Sequence, residues 1–282
     1  MGSSTSIAEL RGTSAPVLEV FGSIQGEGLY VGEPQVLLRL AGCPFRCRWC
    51  DTPGSWDVPS PRSGGERGGR ARIEAPSGRR FERSWASPFA AATWVAEVEG
   101  SEPRTVSVTG GEPLLWPEFV RALKTLLGTR RLHLETAGGD PRALERVLDA
   151  VDHVSLDLKH PADLDPPVRI PAAEGERSTG ALPADATGWA SVRRECLALV
   201  RGRDACGKLV VAGGHDVADF AHILDDVARL APELVVILQP VTPMNGVRAP
   251  SRELLSELVE DARERALSVR VIPQVHRALG LP

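Results

Sequence analysis

Three cysteines within eight residues constrain this chain more than any other feature of its sequence. They lie in the segment Cys43-Pro-Phe-Arg-Cys47-Arg-Trp-Cys50, which spaces them as CxxxCxxC. Three thiolates at this spacing can ligate three irons of a 4Fe–4S cluster, which usually has four cysteine ligands. The fourth iron is then open to a substrate or a cofactor, much as a catalytic zinc ion keeps one coordination position free.

The same three thiols have two simpler interpretations: a zinc site that lacks one ligand, and a group of buried apolar side chains. The sequence contains no CxxC pair elsewhere that would complete a four-cysteine site. His133 and His276 are the candidates for a fourth ligand, and both also fit other roles. Cys196 and Cys206 are predicted to be core thiols.

Composition limits the class of protein. The chain has 282 residues, of which 42% are hydrophobic, and this suffices for one large α/β domain or two small ones. A formal net charge of −4 argues against a general binder of nucleic acid or of membrane surfaces. The sequence shows no apolar run long enough to span a bilayer and no signal peptide at its start. Five cysteines, three of them clustered, favour a reducing cytoplasm over a disulfide framework.

The order of helical and strand-like segments predicts a single α/β domain over residues 16–282. Residues 1–15 are predicted to be a disordered tail, and residues 54–80 and 161–187 to be loop insertions. Alternating strands and helices are typical of a parallel sheet with right-handed crossovers. Strands are expected at 17–21, 36–40, 105–109, 131–136, 153–159, 207–211, 234–239 and 268–275, and helices at 87–98, 117–127, 141–149, 188–201, 216–230 and 251–266.

The predicted strands alternate between apolar and polar residues, whereas parallel strands covered on both faces are usually apolar throughout. In the strand 131–136 the leucines lie opposite His133 and Glu135, and in 153–159 the aliphatic side chains lie opposite Asp157 and Lys159. A sheet with one polar face most simply curls into a partial barrel that holds a polar ligand in its lumen. The alternative is an open sheet with one wet face, which buried charged side chains disfavour.

Further motifs relate the chain to a known family. The strand 105–109 leads into Gly110-Gly111-Glu112-Pro113, which resembles the GGEP motif of the radical S-adenosylmethionine (SAM) superfamily. A narrower resemblance, to the 7-carboxy-7-deazaguanine synthase family, covers most of residues 17–282 outside the two insertions. It is carried by Ser23-Ile24-Gln25-Gly26-Glu27-Gly28, Cys50-Asp51-Thr52, Leu134-Glu135-Thr136, Gln239-Pro240 and Gln274-Val275-His276.

This resemblance implies a fold, a reaction and a set of cofactors. The fold would be an incomplete (β/α) barrel of the radical SAM type with parallel strands and a polar lumen, usually as a homodimer. The reaction would contract the ring of 6-carboxy-5,6,7,8-tetrahydropterin with loss of ammonia, on the path to deazapurine nucleosides such as queuosine. The cofactors would be a 4Fe–4S cluster on Cys43, Cys47 and Cys50, SAM, and Mg²⁺ on Thr52. A flavodoxin- or ferredoxin-type protein would supply the electron that cleaves SAM to a radical. The radical would take a hydrogen atom from the pterin, and SAM would be regenerated at the end of the reaction.

The resemblance also implies roles for individual residues. Contacts to SAM are expected from Trp49, Cys50, Asp51, Gly111, Asp157, Leu158, Lys159, Gln239, Pro240, Val241 and Thr242. Contacts to the substrate are expected from Ile24, Gln25, Gly26, Glu27, Arg39, Thr109, His276 and Pro282, and catalytic roles from Arg39, Glu27 and His276 beside the three cysteines. Arg39 would bind the substrate carboxylate through two charge-assisted hydrogen bonds.

Each of these roles has a structural alternative. Arg39 would otherwise pair with Glu27 or Asp51, Lys159 with Glu135, and the Thr52 hydroxyl would cap its own loop. The sequence 156–159 also departs from the Ser-Pro-Lys often found there in the family. This departure weakens the expected contacts of Asp157 and Leu158.

Other functions are also compatible with parts of the sequence. One alternative is a radical SAM enzyme of different specificity, such as a glycyl-radical activase or a natural-product tailoring enzyme, and neither explains Arg39 or the loop 23–28. Another is a non-enzymatic iron–sulfur carrier or zinc-binding scaffold. Such a protein needs neither the GGEP motif nor a polar lumen.

Overall fold

The computed structural model describes residues 13–60, 69–102, 104–168, 170 and 182–282. In this part of the chain the strands are β1 (Ala15–Ile24), β2 (Pro34–Leu40), β3 (Arg46–Cys47), β4 (Arg70–Ala75), β5 (Gly78–Arg83), β6 (Trp85–Ala86), β7 (Thr105–Gly110), β8 (Leu132–Thr136), β9 (His153–Asp157), β10 (Leu164–Asp165), β11 (Ala205–Val211), β12 (Val235–Pro240) and β13 (Val269–Val271). The α-helices are α1 (Pro88–Glu99), α2 (Pro117–Leu126), α3 (Pro141–Val147), α4 (Ala186–Val200), α5 (Val217–Leu230), α6 (Arg252–Glu264) and α7 (Val275–Ala278).

Most of the strands form one open sheet in the order β13-β12-β11-β9-β8-β7-β2-β1-β4-β5. Neighbouring strands from β13 to β2 are parallel, and β1 adds to β2 in the antiparallel direction. The crossovers between the parallel strands contain α1 to α6. This topology confirms the predicted α/β fold, an incomplete barrel whose edge strands do not pair with each other.

Five of the seven α-helices named above begin where the sequence supplies a capping side chain. The cap accepts a hydrogen bond from a free backbone N–H group of the first turn, which stabilises the helix start. The caps are Ser87 for α1, Asp140 for α3, Asp185 for α4, Asp216 for α5 and Ser251 for α6. In the described part of the chain, none of these helices is both long enough and apolar enough to cross a membrane.

The two faces of the sheet differ in polarity, as the alternation in the sequence predicts. Val106 and Val108 of β7, like Leu132 and Leu134 of β8, are fully buried in the core under the helices. The intervening side chains point to the opposite, concave face. There the Thr109 hydroxyl donates a 2.7 Å hydrogen bond to the carboxylate of Glu135, on the neighbouring strand.

Residues 70–80 correct the prediction of a loop over 54–80. They belong to the hairpin β4–β5, in which β4 pairs with β1 in parallel and with β5 in the antiparallel direction. Ala71 and Ile73 are fully buried, whereas Arg70 is exposed and Arg72 and Glu74 are half-buried on the other face. The segment is rich in Arg and Gly, and this composition does not indicate the short amphipathic strand that it forms. Residues 61–68 of the predicted insertion lie outside the described residues.

Three other boundaries also differ from the prediction. β1 begins at Ala15, which pairs with Ala86 of β6 and is fully buried, while residues 1–12 of the predicted tail lie outside the described residues. Residues 164–165 of the second insertion form β10, which pairs with β3, and its residues 171–181 are not described. The last predicted strand ends at Val271, and α7 follows it.

The loop between β1 and β2 closes one end of the barrel through a polar network. The Tyr30 hydroxyl donates to Asp204, and the Arg131 guanidinium donates to the Tyr30 oxygen at 2.9 Å. The edge of the Tyr30 ring packs on His133 and His153, with ring centroids 4.8 Å apart in both pairs. This loop is therefore fixed to the ends of three strands.

The buried histidine of this network should make the protein sensitive to acid. Burial, with the charges of His153 and Arg131 adding to it, lowers the pKa of His133 to about 3. Because this value lies below the unfolded one, the stabilisation is present above about pH 6.5 and is lost as the pH falls toward 3. We expect His133 to account for a loss on the order of 3 kcal/mol in the free energy of unfolding between pH 7 and pH 4.

Urea unfolding of a His133→Phe variant across this pH range checks the expectation. The variant should show a flatter acid limb than the wild-type protein. A His222→Gln variant should flatten it much less, because His222 is exposed and only partial burial lowers its pKa. Equal slopes in all three proteins would show that His133 does not take up the proton on unfolding.

Candidate active site

The concave face of the sheet opens into a cavity of about 190 Å³ that is continuous with solvent at its mouth. Its wall is formed by the ends of the parallel strands, the cysteine loop, the loop after β1 and the C-terminal segment. The structure brings most of the predicted site residues together in this wall: Ile24, Gln25, Gly26, Glu27, Arg39, Cys43, Cys47, Trp49, Cys50, Asp51, Thr52, Thr109, Gly111, Asp157, Lys159, Gln239, Val241, His276 and Pro282.

Three predicted SAM contacts do not line this wall. The Leu158 side chain lies in the hydrophobic core, where it packs against Gly207. Pro240 is the last residue of β12, and the Thr242 hydroxyl donates a 2.6 Å hydrogen bond to Gln274. Leu158 follows Asp157 on the opposite face of the chain, so the alternation of the strand directs it away from the lumen.

Backbone hydrogen bonds fix the cysteine loop on both of its sides. The N–H of Cys43 donates to the carbonyl of Trp56 at 3.1 Å, and the N–H of Arg48 donates to the carbonyl of Asp163 at 3.0 Å. Cys47 also pairs with Leu164 in the short ladder between β3 and β10. All three thiols of the loop are free and line the cavity.

A buried pair behind the loop holds Asp163 in place. The N–H of Ala212 donates to Nδ1 of His215 at 3.1 Å, which leaves the ring proton on Nε2. Nε2 then donates to the Asp163 carboxylate at 3.0 Å. His160, Asp163 and His215 have potential ligand atoms within 4.8 Å of one another, but this tautomer commits Nε2 of His215 to a hydrogen bond. The cluster therefore supports the cysteine loop rather than forming a metal site.

The GGEP turn joins the cysteine loop to the end of β8. A Cβ atom on Gly111 would lie 2.1 Å from the carbonyl oxygen of Gly42, so only glycine fits this close approach. The carboxylate of Glu112 is buried and accepts hydrogen bonds from the Leu114 N–H at 2.9 Å and the Thr136 hydroxyl at 2.7 Å. Its burial raises the pKa of Glu112 to about 7.

Four charged side chains of alternating sign cross the floor of the cavity. Lys208 pairs with Glu27 and, at 3.2 Å, with Asp157, whose other oxygen pairs with Lys159 at 2.6 Å. Burial alone would lower the pKa of Lys208, but the carboxylates of Asp157 and Glu27 outweigh it and hold the pKa well above its ordinary value. The Lys159 ammonium also lies 4.4 Å from the centre of the Trp49 ring. The expected alternative, an ion pair between Lys159 and Glu135, is therefore wrong.

Arg39 pairs with a residue that the sequence did not indicate. Its Nε lies 2.7 Å from the carboxylate of Glu19, so the expected alternative partners Glu27 and Asp51 are wrong. Glu19 and Arg39 are cross-strand neighbours on β1 and β2. One terminal nitrogen of Arg39 donates to the Thr52 hydroxyl at 3.4 Å, and that hydroxyl donates to Asp51 at 2.7 Å.

The C-terminal segment completes the wall by packing on the loop after β1. The ring of His276 fills the space next to Gly26, where a Cβ atom would lie 1.7 Å from Nδ1. The N–H of Val275 donates to the Gly26 carbonyl at 2.9 Å, and the Ser23 hydroxyl donates to a main-chain oxygen of Pro282 at 2.9 Å. His276 and Pro282 therefore both reach the cavity.

Besides Glu19, the sequence interpretation assigns no role to two side chains that contact predicted residues. Lys208 was overlooked, although β11 alternates Cys206 and Lys208 with apolar residues in the way that marked the other strands. Gln274 was noted only as part of a motif, and its amide nitrogen donates to Glu27 at 2.8 Å and to Asp51 at 3.1 Å.

The wall fits the cofactors that a three-cysteine loop implies. Thiolates are the preferred ligands of iron–sulfur clusters, and all three cysteines of the loop face the same cavity. Nε1 of Trp49 and Oε1 of Gln239 are buried, and among the described residues neither has a hydrogen-bond partner. Because an unpaired buried polar atom is costly, both suit a site that a polar cofactor completes.

Comparison with known proteins agrees with this geometry. The model of the Radical SAM superfamily matches residues 38–179. A 7-carboxy-7-deazaguanine synthase of Methanothermobacter thermautotrophicus is 33% identical over 277 residues, which cover 95% of this chain and 98% of the relative. The enzyme of the same name from Geobacter sulfurreducens is 30% identical over 273 residues, 94% of this chain and 97% of the relative.

Solved structures show the same fold. The crystal structure of QueE from Escherichia coli superposes with a TM-score of 0.56 at 20% identity, over 95% of this chain and 99% of the other. A radical SAM methyltransferase from Sphaerobacter thermophilus gives a TM-score of 0.55 at 16% identity, over 87% and 67% of the two chains. The cysteine loop, the GGEP turn and the full-length relatives agree, and this chain belongs to the 7-carboxy-7-deazaguanine synthase family of the radical SAM superfamily.

Proposed function

We propose that this protein converts 6-carboxy-5,6,7,8-tetrahydropterin to 7-carboxy-7-deazaguanine with loss of ammonia, as a step of deazapurine biosynthesis. The observation that carries this proposal is one cavity with two kinds of polar wall. Arg39 and the loop with Glu27 lie on one side and suit a carboxylated pterin, and the cysteine loop lies beside them. The relatives that cover the full length of the chain carry the name of this activity.

The cofactors would occupy the cysteine side of the cavity. Cys43, Cys47 and Cys50 would hold the 4Fe–4S cluster, and SAM would lie against Trp49, Gly111, Asp157, Lys159 and the segment from Gln239. When bound, these groups together supply a one-electron cleavage of SAM and hence the abstraction of a hydrogen atom from the substrate. The ammonium of Lys159 suits the carboxylate of SAM.

The substrate would bind on the other side. Arg39 has a rigid, planar guanidinium that matches a carboxylate, and its Nε contact with Glu19 orients it. The carboxylate of Glu27 complements the N–H groups of the pterin's guanidine-like edge. The side-chain amide of Gln25 donates to Glu135 at 2.8 Å and accepts the N–H of Glu27 at 3.1 Å, so it holds the loop in shape.

Three further parts of the proposal rest on the family resemblance and on local chemistry. Mg²⁺ would bind Thr52, where the neighbouring carboxylate of Asp51 supplies another oxygen and substrate and water would complete its shell. A flavodoxin- or ferredoxin-type donor would approach the cysteine loop, where Arg48 is exposed and suits an acidic partner. The functional unit would be a homodimer.

A turnover assay tests the proposed reaction. The anaerobically reconstituted, reduced protein should form 7-carboxy-7-deazaguanine from the pterin and SAM, with many turnovers per SAM. Arg39→Lys should lower kcat/KM by about tenfold to a hundredfold, because a lysine does not bind a carboxylate through two parallel hydrogen bonds. Arg72→Lys is the matched control, since Arg72 also pairs with Glu19 but lies outside the cavity wall.

The outcome also separates the alternatives. Cleavage of SAM in proportion to product, with no repeated turnover, would contradict the regeneration of the cofactor. Cleavage of SAM without any deazaguanine product would favour a radical SAM enzyme of another specificity.

Metal analysis of cysteine variants tests the cluster site. Reconstitution should give about four irons per chain in the wild-type protein. Cys43→Ala, Cys47→Ala and Cys50→Ala should each lose most of this iron, because each would remove one of only three protein ligands. Cys196→Ala and Cys206→Ala, at buried positions away from the loop, should retain it. One tightly bound zinc per chain in place of iron would contradict the assignment.

A further inference from the structure

Lysine is rare in this chain, and its positions are informative. The sequence has thirty arginines but three lysines, Lys124, Lys159 and Lys208. Lys159 and Lys208 line the cavity, whereas Lys124 pairs with Asp152 outside its wall. At the two cavity positions lysine supplies a compact ammonium on a slim stem, which the planar guanidinium of arginine would not reproduce.

The position of Lys208 is set by the sheet. It lies on β11 between two paired strands, β9 and β12, and its register partner on β9 is Asp157. Its side chain is only 9% exposed, and its ammonium contacts the carboxylates of both Glu27 and Asp157. A buried ammonium without such partners would be strongly unfavourable. Lys208 therefore depends on the two carboxylates, and each carboxylate is in turn neutralised by Lys208.

The carboxylate of Glu27 is held from two directions. Lys208 pairs with one of its oxygens, and the Gln274 amide donates to the other at 2.8 Å. Glu27 belongs to a glycine-rich loop outside the strands, whereas Lys208 belongs to β11, which pairs with a strand on each side. The rigid element therefore fixes the orientation of the side chain on the loop.

We propose that Lys208 is the positioning residue of the substrate subsite, and that its ammonium group aims the Glu27 carboxylate at the amino-pyrimidinone edge of the pterin. This inference rests on the proposed function. Lys208 acts through Glu27 and contacts the cofactor side only through Asp157, which keeps Lys159 as a second partner. Loss of Lys208 should therefore weaken binding of the pterin more than binding of SAM, and should leave the cluster in place.

The test is a double-mutant cycle on substrate binding. Isothermal titration of 6-carboxy-5,6,7,8-tetrahydropterin into the anaerobic, unreduced holoenzyme with SAM present measures affinity without turnover. Lys208→Met should raise the Kd by about 30-fold or more, because it removes one partner of a buried charge pair. Lys208→Arg should recover part of this loss, since it keeps the charge but not the geometry. The control Lys124→Met should bind like the wild-type protein.

The cycle is closed with Glu27→Gln and the double variant Glu27→Gln/Lys208→Met. If Lys208 acts through Glu27, the double variant should bind no more weakly than Glu27→Gln alone. The double variant removes one charge of each sign, so it also answers the question if Lys208→Met alone fails to fold.

Each remaining result has a definite meaning. Additive effects of the two substitutions, or an unchanged Kd in Lys208→Met, would overturn the role of Lys208 and leave the proposed function intact. A wild-type holoenzyme that carries its cluster and SAM but does not bind this pterin would overturn the proposed function and, with it, the inference.

Discussion

The pairing of buried charges across the concave face of the sheet is the constraint on which the rest of the site depends. Strands whose outer side chains are packed under helices must leave their inner face either filled with apolar groups or polar with its charges paired. The inner face of this sheet is polar, and the charges of Glu27, Lys208, Asp157 and Lys159 alternate in sign across it. Because each charge is neutralised by its neighbours, the lumen stays open and polar without an uncompensated ion. The same order connects the loop after β1 with the end of β9.

The second requirement is that the cysteine loop is held at the ends of the parallel strands by contacts with the rest of the fold. Its backbone is bonded to the chain after β9 at Asp163, and the Gly111 turn packs directly on Gly42 at its start. Asp163 lies outside the cavity wall, whereas Gly111 is part of it. Both place the three thiols in the same wall as Arg39, so that a cluster and a carboxylated substrate would share one enclosed space. This shared space is what distinguishes the site from that of an iron–sulfur carrier.

Local patterns in the sequence predict most of the fold, and non-local pairings account for what they miss. Helical periodicity and caps such as Asp216 locate the helices, and the alternation around Glu135 reveals the polar lumen. The β4–β5 hairpin was missed because its stability comes from pairing with β1, more than fifty residues earlier in the chain. The contact between Arg39 and Glu19 follows from the β1–β2 register, which no local pattern supplies. The alternation of polar and apolar residues in β11 indicates Lys208, but not its partner Glu27, which is 181 residues away in the sequence.

An anaerobic crystal structure of the cluster-loaded protein with SAM and 6-carboxy-5,6,7,8-tetrahydropterin would test the central claim most directly. The account predicts a pterin in the lumen, with its carboxylate on the guanidinium of Arg39 and its amino-pyrimidinone edge on Glu27. The cluster would have three cysteine ligands from the loop. A fourth protein ligand on the cluster, or a pterin bound away from both Arg39 and Glu27, would contradict it.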